Sequence, residues 1–359
     1  MVAAPNMLDP LDVLLRGPDS RALRLGLVAP LSGGMGMIGP TVIEASRLAA
    51  SEINSRSSER PVELVLVDSG GQPESVASML GDLIAENAVS AFVGLHTSYT
   101  LEAIERSLGS KVPYIVTAGH EAVNRLPGFY CAGETPLQST AGIAWLMRER
   151  NIDTWAVINT DYVYPRVART VQCAAIQASG GSVVFDITVP QGTVPAHVAT
   201  LVQGVCTSGA RGVLLNMEPR DVVTVLRALR SRRLDNKIVR FAPGTIEENA
   251  LYAIGGDSSG NLFASMHHFD AHREGAREEL AERYRKAFTA DAPTLTSWGE
   301  RSYHAVHILS RLDAEGLLVP ASLGTPNGQP YMHESIAGLP AGAGQLAVAN
   351  GLKFEIVMP

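Results

Sequence analysis

From Leu25 onward the chain alternates short apolar runs with segments of helical period, and it does so in two successive series. Residues 25–29 read as a strand, followed by a glycine-rich loop and a helix with Ile43, Leu48, Ala49 and Ile53 on one side. Residues 62–67, 91–95 and 113–117 repeat the strand pattern. Helical stretches marked by Val76, Met79, Leu80, Leu83 and Ile84, and by Leu101, Ile104 and Leu108, lie between them. Strands apolar on both faces that alternate with helices form a parallel sheet covered on both sides. After a short run at 129–132 and a linker at 133–136, the rhythm restarts. Its strands are 154–159, 183–189, 212–216 and 238–242, and its helices 167–179, 197–207 and 221–232.

Residues 262–266 are expected to run back toward the first half. Two long helices follow at 274–289 and 297–315, then a tail rich in Gly and Pro from 324, with β-like runs at 345–349 and 353–357. The 359 residues exceed what one core usually supports. The expectation is an α/β fold of two doubly wound parallel-sheet lobes sharing a ligand cleft. Lobe 1 takes residues 22–134 and 266–323, lobe 2 takes 135–265 and 324–359, and 1–21 form an N-terminal extension.

Composition removes whole classes of function. With 46% hydrophobic residues the chain is not disordered, and a net charge of −7 disfavours a nucleic-acid backbone as partner. No run approaches the roughly 18 apolar residues of a membrane helix, so no membrane insertion is expected. The N-terminal stretch has only short apolar runs, such as Val13-Leu14-Leu15, and it carries Asp9, Asp12 and Asp19. It does not read as a secretory leader, so the expected location is cytoplasmic, with an extracytoplasmic protein that lost its leader as the alternative. Three cysteines without a C-x-x-C pair make neither a disulfide scaffold nor a zinc site.

Two catalytic motifs occur literally. Gly34-x-Gly36-x-x-Gly39 matches the dinucleotide fingerprint, but Pro30 to Gly33 separate it from the strand. Asp68 lies 68 − 34 = 34 residues beyond Gly34, against about 20 in a nicotinamide-dependent dehydrogenase. Gly256-Asp257-Ser258-Ser259-Gly260 matches G-x-S-x-G, yet its strand follows instead of preceding it, so a solvated turn is expected rather than a hydrolase nucleophile. His304 and His307 share a helix face, and His267, His268 and His272 cluster, without the carboxylate spacing of a metal site. Neither metal nor cofactor is expected, and the chain is not expected to be an enzyme.

Binding candidates sit where strands end. Asp161-Tyr162-Val163-Tyr164-Pro165-Arg166 follows a strand. In an extended turn, Tyr162 and Tyr164 would point the same way and enclose a small polar solute, or else fill a lobe edge. His96, Thr97 and Ser98 occupy the equivalent place after residues 91–95. Their hydroxyls suit a carbonyl or carboxylate, and also a helix cap. Thr117, Ala118, Gly119 and His120 end the neighbouring strand and could add backbone donors.

These residues carry a resemblance. Gly26 to Gly33, Phe92 to Ser98, Asp161 to Arg166 and Asn350 to Phe354, in order and spacing, resemble the type I periplasmic-binding-protein family. The likeness is greatest to its leucine/isoleucine/valine-binding and amide- or urea-binding branch. The Asp-Tyr-x-Tyr-Pro-Arg run is similar to the amide-sensing regulators of bacterial aliphatic amidase operons and to urea- and amide-binding transport proteins. The resemblance implies two lobes joined by three crossovers that close on a solute without catalysis. It implies that Thr97 and Ser98 hold the ligand's polar head and that Thr117, Ala118 and Gly119 form a second first-lobe loop. It further implies that Tyr162 and Tyr164 cover the ligand and that Glu247 faces a nitrogen. The amide-sensing branch has more aromatic residues in the first lobe, whereas this chain offers His96 and His120, and a histidine there could become charged near neutral pH. The expected role is a cytoplasmic sensor of a short amide, urea or amino-acid-like compound, read by a regulator protein. A transport receptor read by an ABC permease is the alternative, and a homo-oligomer is compatible with either.

Overall fold

The computed structural model describes residues 7–19, 21–56, 60–121, 125–271, 275–288, 292–323 and 344–358. The tail from 324 to 343, His272 and the ends of the 274–289 helix lie outside the described residues. The chain divides into two compact units. The described residues within 1–118, 122–133 and 274–341 form one, and those within 119–121, 134–273 and 342–359 form the other.

In the first unit a parallel sheet has the order β2-β1-β3-β4-β5, from β1 (Leu23–Ala29), β2 (Val62–Asp68), β3 (Ala91–Gly94), β4 (Tyr114–Val116) and β5 (Phe129–Cys131). All seven residues of β1 are buried, as a central parallel strand requires. Helices α1 (Pro10–Arg16), α2 (Gly39–Asn54), α3 (Pro73–Ala85) and α4 (Ser98–Leu108) belong to this unit. α1 was not anticipated. It is a short helix capped by Asp9, whose carboxylate accepts the Leu11 amide at 2.8 Å. The register places Phe92, Tyr114 and Phe129 side by side on three strands, and Tyr114 stacks between the two phenylalanines. Gly94 makes this possible, because a Cβ there would lie 2.1 Å from the Tyr114 hydroxyl.

The second unit contains α5 (Ser139–Glu149), β6 (Thr154–Thr160), α6 (Val163–Ala178), β7 (Ser182–Val189), α7 (Val194–Ser208), β8 (Gly212–Asn216), α8 (Pro219–Ser231), β9 (Val239–Pro243), α9 (Glu248–Ile254) and β10 (Leu262–Met266). α10 (Ala276–Phe288) and α11 (Ser297–Ala314) return to the first unit, and β11 (Gln345–Asn350) and β12 (Lys353–Met358) end the second. The sheet order is β12-β11-β10-β9-β8-β6-β7, with only β10/β11 and β11/β12 antiparallel. The expectation for residues 262–266 is therefore corrected. β10 pairs with β9 and β11 inside the second sheet and does not run back to the first. α5 was also missed, although Ile143 and Leu146 pack with Trp155, Leu214, Phe241 and Phe263 in the core.

Candidate functional site

In the first unit, α4 begins at the end of β3. Thr97 is its N-cap, with the side-chain oxygen accepting the Thr100 amide at 3.3 Å, and Ser98 is buried at the first helical position. The capping reading of Thr97 thus holds. His96 is buried behind it. Its Nδ1 lies 3.2 Å from the Thr97 carbonyl and its Nε2 2.8 Å from the Tyr114 hydroxyl. Donation from Nδ1 to the carbonyl makes Nε2 the acceptor of the phenolic proton. Burial pulls the imidazole pKa down to about 4. Burial thus favours the neutral imidazole of His96 at physiological pH, against the possibility of a charge near neutrality.

Thr117 follows β4 and has no exposed surface. Its hydroxyl donates to the Gly94 carbonyl at 3.2 Å, and its own carbonyl accepts from the Arg301 guanidinium at 2.9 Å. Ala118 is buried beside it. Arg301, deep in α11, therefore fixes this loop, and no sequence motif pointed to it. Gly119 and His120, expected in the first lobe, group with the second unit. There the His120 amide donates to the Glu134 carbonyl at 2.9 Å.

The second unit brings three strand ends together, since β9, β8 and β6 are neighbours in the sheet. From β6 comes Tyr162, the extended N-cap of α6, while Tyr164 already lies in the first helical turn. The extended turn expected for this pair is corrected, because the helix starts at Val163. Asp161 and Arg166 of the same stretch pair with each other at 2.7 Å on the surface. The Tyr164 ring lies across two glycines. A Cβ on Gly119 would be 3.2 Å from it, and one on Gly244 would be 2.9 Å from its hydroxyl.

From β8 comes Glu218, the N-cap of α8, with Asp221 in the first turn, and both are buried. Burial raises the pKa of each. Glu218 is lowered by the Gln191 amide, which donates to Oε1 at 2.9 Å, and raised by Asp221. The phenol of Tyr162 is driven well above its usual range by burial, then by Glu218, Tyr164, Glu121 and Asp221. From β9 comes the loop at 244–248. Glu247 is buried at the N-cap of α9, and Glu248 accepts the Asp270 amide at 3.0 Å. Glu121, Glu218 and Asp221 were not anticipated. The rule that strand C-terminal ends supply ligand contacts, applied to β8 as it was to β3 and β6, would have reached Glu218.

Both literal motifs lie beside folded polar contacts. Asp68, at the end of β2, accepts the Leu31 amide, the Ser32 hydroxyl and the Gly70 amide at 2.7–2.8 Å, so its carboxylate ties the start of the glycine-rich loop to the turn after β2. Asp257 is buried against Arg240 at 2.7 Å, next to the exposed Ser258.

Among the described residues no helix is long and apolar enough to cross a membrane. The structure is similar to a fatty acid ABC transporter substrate-binding protein from Thermomonospora curvata (19% identity, 95% of this chain and 92% of that chain, TM-score 0.76). It is also similar to an ABC transporter solute-binding protein from R. palustris in complex with benzoate (17%, 94% and 96%, TM-score 0.75). A leucine-binding protein from Thermotoga maritima matches at 16% identity over 93% and 97% of the chains, with a TM-score of 0.74. Identities this low speak for the fold. The periplasmic binding protein profile matches residues 22–314, and the chain belongs to that family of substrate-binding proteins.

Proposed function

We propose that this chain binds a short amide, urea or amino-acid-like solute and serves as the substrate-binding receptor of an ABC-type transporter. The observation that carries the reading is the convergence of Tyr162, Tyr164, Glu218, Asp221 and the 244–248 loop at three adjacent strand ends. Amphipathic rings with buried oxygen acceptors suit a solute that is small, polar and rich in N–H donors. Binding shifts the chain between two conformations, and a membrane permease reads the difference.

The ABC transporter substrate- and solute-binding proteins among the solved relatives support this role over the cytoplasmic sensor. The sensor is the second reading, favoured by the likeness of the Asp161 to Arg166 stretch to amide-sensing regulators. Cell fractionation separates the two: an extracytoplasmic chain supports the receptor, and a cytosolic one returns the sensor. Binding itself is tested by thermal unfolding with a panel of amides, ureas and amino acids, since a ligand held only by the folded state raises the midpoint. Tyr162→Ala and Tyr164→Ala should each reduce the rise. Absence of any rise across the panel at millimolar concentration removes this solute class.

A further inference from the structure

Asp221 is 4% exposed, and its Oδ2 is buried without a hydrogen-bond partner. It stands at the third position of α8, where an acid is favoured by the amide dipoles of the helix start. Helix chemistry accounts for an acid at that position. It does not account for a carboxylate oxygen taken out of water and left without a donor. Nor does it account for the company Asp221 keeps. Its charge acts on Glu218 and on the Tyr162 phenol, and Glu121 acts on the same phenol. The basic side chain that offsets Asp221 is the neighbouring Arg220, an exposed residue. Glu218 has one neutral donor, Gln191.

We infer that Glu218 and Asp221 form a cation subsite, and that the solute of this protein carries a nitrogen-centred cation, an amidinium or ammonium, which donates to Asp221 Oδ2. The inference rests on the solute-binding reading above and narrows its ligand class. A bound cation would give the unpartnered oxygen its donor and would offset the charge that the acids impose on one another and on the Tyr162 phenol. A solute whose polar head is a carboxylate would meet like charge at the same place. The benzoate held by one structural relative is therefore excluded here as a head group for this subsite. Burying an acid at a cost to the unliganded fold is the pattern of a residue kept for binding.

Benzamidine, benzamide and benzoate share a ring and differ in head-group charge, so they isolate this subsite. Thermal unfolding of the full chain is measured with each at equal millimolar concentration, for the native sequence, Asp221→Asn and Glu218→Gln. Benzamidine should raise the midpoint more than benzamide, and benzoate should leave it unchanged. Asp221→Asn should weaken benzamidine by about tenfold or more while leaving the unliganded midpoint equal or higher. A rise with benzoate or benzamide as large as that with benzamidine overturns the cation subsite. So does an Asp221→Asn protein with a lower unliganded midpoint and unchanged benzamidine binding, which returns Asp221 to a helix-start role. Should none of the three probes raise the midpoint, the cation inference fails. The panel of amides, ureas and amino acids then decides the broader reading: a rise there keeps it, and no rise ends both.

Discussion

The Nε2 of His96 accepts the Tyr114 phenolic proton across 2.8 Å, at the end of a ladder in which Tyr114 stacks between Phe92 and Phe129. The pair ties the loop that opens α4 to the core of the first sheet. Its proton chemistry follows from burial. The folded chain holds the imidazole at a pKa of about 4, whereas an unfolded chain protonates near 6.5. A histidine lowered in this way leaves stability intact above pH 6.5 and removes it as pH falls through the window to 4. The loss across that window is roughly 3 kcal/mol. Urea titrations at pH 7.5 and pH 4.5 measure it, and His96→Gln should flatten the difference. An equally steep fall in the variant would assign the acid sensitivity to other groups.

Gly244 has φ +66°, and a Cβ there would sit 2.9 Å from the Tyr164 hydroxyl. Gly244→Ala combines a left-handed backbone with pressure on the ring, so it should cost about 1–2 kcal/mol of stability. The same change should also displace Tyr164 and weaken solute binding. Calorimetric unfolding with and without solute reads both effects. A variant that loses stability but binds normally would place Tyr164 outside the site.

Much of this arrangement was legible in the chain. Apolar runs located the twelve strands of the described residues, because a strand buried on both faces, such as β1, writes its burial directly into composition. The direction of residues 262–266 was not legible. A run such as Leu262–Met266 looks the same whichever sheet it joins, and pairing with β9 and β11 is decided by tertiary packing. Site residues near a strand end were recognisable as positions. Their surroundings were not, because nothing local in the sequence records that Tyr114 holds His96 or that Gly94 and Arg301 hold Thr117. Arg301 lies 184 residues from Thr117, and no local pattern records such a contact.

The glycine-rich loop gives a separate test. Asp68 spends its carboxylate on Leu31, Ser32 and Gly70, which hold its pKa below the ordinary value against the upward push of burial. Asp68→Ala should therefore lower the thermal midpoint, by an amount equivalent to about 1–3 kcal/mol. Fluorescence titration of the native chain with reduced nicotinamide cofactor should show no saturable binding. Saturation that disappears in Asp68→Ala would revive the dehydrogenase.

Ser258 occupies the serine position of the G-x-S-x-G motif, and beside it Arg240 and Asp257 are each 1% exposed and paired at 2.7 Å. Asp257 also accepts the Ser259 hydroxyl and amide, and the Arg240 guanidinium donates to Ser259 and to the Asp235 carbonyl. The motif is thus a folded lock between β9 and the turn before β10. Asp257→Asn strands the buried Arg240 guanidinium and should cost about 3–5 kcal/mol, whereas Arg240→Met leaves Asp257 the Arg230 guanidinium at 3.4 Å and should cost less. The double variant should cost less than the sum of the two by more than about 1 kcal/mol, as expected for groups in direct contact. Ser258→Ala, at an exposed position, should stay within about 0.5 kcal/mol of the native chain. Urea unfolding of the four variants closes the cycle. Additive single effects would break the lock, and labelling of Ser258 by a serine-reactive phosphonate would restore the hydrolase.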